Sequence, residues 1–148
     1  MGEWRTIYLA DSSSGPSKDF VVPTDRNYRI QSIFATLVTS AAATARNVYL
    51  AAYTSTDDVT QPLFRANVGV NFDPSLTHYI EFSGSTVRVE GDGLTDSGWT
   101  HVTIPVMEVR AGTYFFIESF FAADGATGIE DDLSIKALID IRVARDST

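Results

Sequence analysis

Between Leu133 and Val143 every second residue is apolar: Leu133, Ile135, Ala137, Ile139, Ile141 and Val143 alternate with Ser134, Lys136, Leu138, Asp140 and Arg142. A repeat of two puts alternate side chains on opposite sides of an extended backbone, so this segment predicts a strand with one core-facing side. At ~3.3 Å per residue it spans roughly 36 Å, enough to cross a whole sheet. Shorter runs predict further strands at Arg5–Leu9, Asp19–Val22, Tyr28–Val38, Asn47–Tyr53, Pro62–Ala66, Leu76–Phe82, Thr86–Glu90, Trp99–Ile104 and Thr113–Phe121. Turn-forming clusters separate them, among them Ser12-Ser13-Ser14-Gly15-Pro16, Thr24-Asp25-Arg26-Asn27 and Gly91-Asp92-Gly93. Many short strands with polar turns predict an all-β sandwich or barrel. The segment Thr39–Arg46 is rich in alanine but has no apolar stripe, which predicts a loop, with a short helix as the alternative. No repeat or linker divides the chain. It predicts an N-terminal arm over residues 1–15 and one β-sandwich domain over 16–148.

Two segments carry more apolar surface than one sandwich face requires. As a strand, Thr113–Phe121 puts Tyr114, Phe116 and Phe120 on one side and Phe115, Ile117 and Phe121 on the other. A sandwich strand normally needs only one apolar side. The second side is covered either by a loop or the arm of the same chain, or by a neighbouring subunit. The arm poses the same choice: Trp4, Ile7, Tyr8 and Leu9 either form an edge strand of this domain or reach onto another chain. The candidate contact residues are therefore Trp4, Ile7, Tyr8, Leu9, Phe115, Ile117 and Phe121.

Charge narrows the partners. The 148 residues hold 19 Asp and Glu against 11 Lys and Arg, a formal net charge of −8. Affinity for nucleic acid rests on neutralising phosphates with basic side chains, and no basic run occurs here, so neither nucleic acid nor an anionic membrane is an expected partner. There is no cysteine, hence no disulfide or thiolate chemistry. No apolar stretch approaches the ~18 residues of a membrane span. The N-terminus lacks the basic flank and apolar run of a signal peptide, which predicts a protein made and used without export.

Catalytic and metal chemistry find little to work with. The two histidines, His78 and His101, fall in predicted strands, and a zinc site needs three or four ligands close together. No GxSxG elbow and no phosphate-binding glycine loop occurs. The acidic groups Asp57-Asp58, Asp92–Asp96 and Glu130-Asp131-Asp132 read as solvated turns, with a weak calcium site at Asp92–Asp96 as the alternative. No catalytic residue, metal ligand or cofactor is expected. Trp4, Trp99 and the six tyrosines leave room for sugar stacking.

The run Phe20-Val21-Val22-Pro23-Thr24-Asp25-Arg26-Asn27-Tyr28-Arg29-Ile30-Gln31-Ser32-Ile33 resembles the opening of small β-rich virion proteins of tailed bacteriophages. The likeness continues in Ala45–Leu50, Leu63–Ala66, Val109–Tyr114 and Asp131–Ile135, and loosely covers residues ~20 to ~143. It departs at Thr24-Asp25, where Ala-Gly is usual, and it leaves out the N-terminal arm. The resemblance implies a capsid decoration, or cement, protein with a jelly-roll-like antiparallel β-sandwich. It also implies a homotrimer bound to the major capsid protein on the virion exterior and made in the host cytoplasm. The alternative is a carbohydrate- or receptor-binding module of a phage tail or fibre, or another head or tail component.

Overall fold

In the computed structural model, which describes residues 3–42, 44–69, 71–84, 99–123, 125–128 and 130–143, the described residues form strands and connecting turns without helix. The strands are β1 (Arg5–Asp11), β2 (Ser17–Val21), β3 (Arg26–Val38), β4 (Arg46–Tyr53), β5 (Phe64–Asn67), β6 (Thr77–Ser83), β7 (Trp99–Thr103), β8 (Glu108–Val109), β9 (Tyr114–Phe121) and β10 (Asp132–Val143). The expected strand at Thr86–Glu90 and the acidic loop Asp92–Asp96 lie outside the described residues.

The strands divide into two sheets. Sheet A runs β1-β10-β3-β6-β7, with β8 also paired to β3, and sheet B runs β2-β9-β4-β5. Four antiparallel pairs nest inside one another: β4 with β5, β3 with β6, β2 with β9 and β1 with β10. Such a layout is one long hairpin, bent so that successive pairs fall alternately in the two sheets. This is the eight-stranded jelly roll. Among the described residues one parallel pair, β6 with β7, extends sheet A beyond that core set. Residues Arg5–Asp11 of the arm are strand β1, paired along their whole length with β10.

The alternation of β10 holds through Ile141, with Leu133, Ile135, Ala137, Ile139 and Ile141 all inward and buried, but Val143, expected on the same side, is 56% exposed at the strand's end. Its partner β3 does not keep phase. Tyr28 and Ile30 point inward, and so do Ile33, Ala35 and Leu37, a three-residue step between Ile30 and Ile33. The register absorbs the step as a β-bulge: Leu138 lies opposite Ser32 and Ile139 opposite Ile30, leaving Gln31 as the extra residue. From sheet B the core receives Val48, Leu50 and Ala52 of β4 with Phe115 and Ile117 of β9. Phe20 stacks on Phe115 with centroids 4.7 Å apart, and Phe64 meets Phe115 edge-on. A tight turn leads into β9. Thr113 N–H donates to the Arg110 carbonyl at 3.1 Å, and Gly112 takes φ +87°, a left-handed conformation that suits glycine at that position of a turn.

Candidate functional site

Sheet B presents its outer side through β4 and β9. Inward burial of Phe115 and Ile117, each 1% exposed, leaves Tyr114, Phe116, Glu118 and Phe120 on the outside of β9. Phe115 and Ile117 are thus core residues, unavailable to another chain. The outward aromatics of β9 are the set the sequence assigned to the opposite side. Tyr49 and Tyr53 of β4 join them. The ring centroids form a continuous row: Tyr53 to Tyr114 6.2 Å, Tyr114 to Phe116 6.1 Å, Phe116 to Tyr49 6.0 Å and Tyr49 to Phe120 5.7 Å. Tyr49, Tyr114, Phe116 and Phe120 are half-buried, whereas Tyr53 is buried at 8% exposure. Tyr49, Tyr53, Tyr114 and Phe116 line an open depression of about 320 Å³ together with Val59.

Polar groups frame the row. The Tyr114 hydroxyl donates to Asp19 at 3.0 Å. The Arg65 guanidinium lies 3.9 Å from the Tyr49 ring centre, a cation–π contact. Burial, reinforced by the nearby Glu118 charge, pushes the Tyr49 hydroxyl up to about 12. Burial and the Asp19 hydrogen bond do the same for Tyr114, also to about 12. Both phenols therefore stay protonated across the physiological range. Burial also raises the Glu118 carboxyl, opposed by a hydrogen bond from Thr127.

The outer side of sheet A differs. Tyr8 is 68% exposed, Val38 45% and Phe34 38%. Lys136 lies over the Tyr8 ring at 5.2 Å. Ile7 and Leu9 turn inward and pack against the core, so of the arm's apolar residues Tyr8 alone is fully outward. At the other end of this face Trp4 lies against two guanidinium groups, Arg29 at 4.4 Å and Arg142 at 4.7 Å. Arg142 donates to Glu108, and Arg29, Gln31 and Thr6 all donate to Asp140. Trp4 therefore fastens the start of the chain to its own sheet.

The sequence missed one arrangement. Arg46, at the start of β4, is fully buried, and so is Asp131. All five guanidinium N–H groups have acceptors: Nε reaches Asp131 at 3.1 Å, one terminal nitrogen reaches the Ala42 and Thr44 carbonyls, and the other reaches the Ser40 carbonyl and hydroxyl. Asp131 also accepts from the Ser40 N–H at 2.7 Å and the Ser119 hydroxyl at 2.9 Å. Phe121, half-buried, lies 5.2 Å from the Arg46 guanidinium. Asp131 is thus no solvated turn residue. It ties the 39–45 loop to the turn before β10. The signal available was a lone arginine heading an otherwise apolar strand.

Neither histidine builds a metal site. His78 contacts the Asp73 carbonyl at 3.0 Å, and His101 lies 2.9 Å from the Ser83 hydroxyl. Ser83 is only 3% exposed, and among the described residues no carboxylate hydrogen-bonds His101 to orient it as a base. Among those residues no group of three or more His, Asp or Glu is placed to hold a metal.

No family model matches this chain, and no curated protein does. Solved structures of low similarity include the Tobacco streak virus coat protein, at TM-score 0.41 and 5% identity over 97% of this chain and 90% of that one. Others are Mud crab tombus-like virus (0.36, 13%, 100% and 92%) and Cocksfoot mottle virus (0.37, 11%, 97% and 85%). At these values the likeness carries no inference about activity. The fold assignment rests on the nested strand pairs themselves.

Proposed function

We propose that this chain is a structural virion protein that decorates a bacteriophage capsid and braces neighbouring capsid subunits. It acts as a homotrimer on the capsid exterior after synthesis in the host cytoplasm, with the major capsid protein as its partner. The observation that supports this reading is the outer side of sheet A, where Tyr8, Phe34 and Val38 stand out from a jelly roll whose core is already complete. Exposed apolar side chains grouped on one face mark a protein contact. The sequence likeness to tailed-phage virion proteins supplies the setting. Joining several copies turns weak contacts into strong attachment, because each later contact forms at high effective concentration and avidity rises by ~10²–10⁴.

Light scattering and reconstitution on undecorated phage heads test the reading. The wild-type chain is expected to be trimeric and to coat the heads. Tyr8→Glu, whose side chain points to solvent, is expected to shift the population toward monomer and weaken coating more than tenfold, with an unchanged circular dichroism spectrum. A chain that stays monomeric and leaves the heads bare overturns it.

A further inference from the structure

Beyond an assembly role, we infer that the outer side of sheet B is a binding site for a neutral carbohydrate chain. The argument starts from the difference between exposed apolar area and ordered aromatic surface. Tyr8 and Val38 on sheet A project into water, as a protein contact requires. The rings of sheet B are packed against one another along the row from Tyr53 to Phe120, so little greasy area remains for a protein partner to hide. What remains is a rigid aromatic floor. A pyranose has one C–H-rich face and a rim of hydroxyls. It needs an aromatic surface under the first and hydrogen-bonding groups beside the second.

Both are present on the same face. Tyr49, Tyr53, Tyr114 and Phe116 line the depression of about 320 Å³, within the size range of small-molecule sites. Three of the four carry hydroxyls, and those of Tyr49 and Tyr114 stay protonated at neutral pH. Asp19 sits beside Phe116 on β2 and Glu118 lies on β9 within the row, so two carboxylates face the site against the one Arg65 guanidinium over Tyr49. Carboxylates accept from sugar hydroxyls and repel anionic ligands, in a chain that already carries −8. This excludes sialylated or uronic-acid glycans and phosphate-bearing polymers as first choices. The site is also preorganised, because aromatic side chains held by their neighbours lose little freedom on binding. Its platform is Tyr114 and Phe116, since Tyr53 is buried and Arg65 already covers the Tyr49 ring. Trp4 has no part in it.

The full chain is screened on an array holding neutral, sialylated and uronic-acid glycans. Neutral hits, with β-1,4-linked glucose and N-acetylglucosamine hexasaccharides as standing probes, are then titrated while amide chemical shifts are followed. Expected are binding to at least one neutral oligosaccharide, shifts centred on β4 and β9, and a tenfold or greater loss of affinity in Tyr114→Ala and Phe116→Ala. Tyr114→Phe, which keeps the ring, is expected to lose less. Tyr8→Glu is expected to bind like wild type, so failure of the assembly reading leaves this result intact, and the converse also holds. No neutral glycan bound at millimolar concentration, preference for acidic glycans, or shifts confined to sheet A each overturn the proposal.

Discussion

Two carboxylates of this chain accept hydrogen bonds from an arginine and from uncharged neighbours, yet they do different work. Asp131 and Arg46 are both 0% exposed. Asp140 is nearly buried at 11%, but its partner Arg29 is 36% exposed. In the first pair neither charge can reach water if the other is removed. In the second, Arg29 can turn to solvent, and Thr6 and Gln31 still face the acid. The lesson is that the count of hydrogen bonds does not rank these clusters; the escape route of the orphaned charge does. The buried cluster locks two loops together, whereas the open one tethers the first strand.

The largest expected effect therefore comes from Arg46→Met. It strands the Asp131 carboxylate in the interior and is expected to cost about 3–5 kcal/mol, read as a lower urea midpoint. The double variant Arg46→Met with Asp131→Leu is expected to recover a good part of that loss. If the single and double variants are equally unstable, burial of an unpaired charge is not the cause.

Asp140→Asn comes next, at about 1 kcal/mol at neutral pH. Burial alone would raise the Asp140 carboxyl, but the bonds from Thr6, Arg29 and Gln31 outweigh it and hold the group below its ordinary value. A lowered folded value means the acid stabilises the fold above the unfolded value of about 3.9, and that contribution fades as pH falls through the folded one. Urea midpoints of wild type and Asp140→Asn should accordingly differ at pH 7 and converge toward pH 3. A gap that widens on acidification would reverse the assignment. The smallest effect is reserved for Asp25→Asn, which removes the exposed pair with Arg26 and is expected to stay within about 0.5 kcal/mol.

Much of the fold was legible because one-sided burial writes itself as alternation. β10 shows this most plainly, and β3, β4, β6 and β9 fall within two residues of their expected bounds. The bulge in β3 was not read from the sequence, where Tyr28–Val38 predicts a plain strand, although the step from Ile30 to Ile33 marks it. The two-residue β8 left no pattern to detect, and β7 gave no sign of its parallel pairing, since alternation does not record direction. For β9 alternation sorted the rings into two sets but could not tell inside from outside, because both sets are aromatic. The inward set was settled by the hydrophobic partners that β3, β6 and β10 place opposite them. Arg46 was missed for a related reason: a charged residue reads as solvent-facing unless its acceptors are known, and those come from loop carbonyls and an acid far away in sequence.

The nested pairing of strands also orders events during synthesis. The innermost hairpin, β4 with β5, can close as soon as both strands leave the ribosome. β3, at the middle of sheet A, has to wait for β10 on one side, so that sheet stays unfinished until residue 143 has emerged. Such distant pairings slow folding and leave unpaired edges exposed meanwhile. A nascent chain of this kind gains from a fold whose last strand seals both its centre and, through β1, its outer margin in one step.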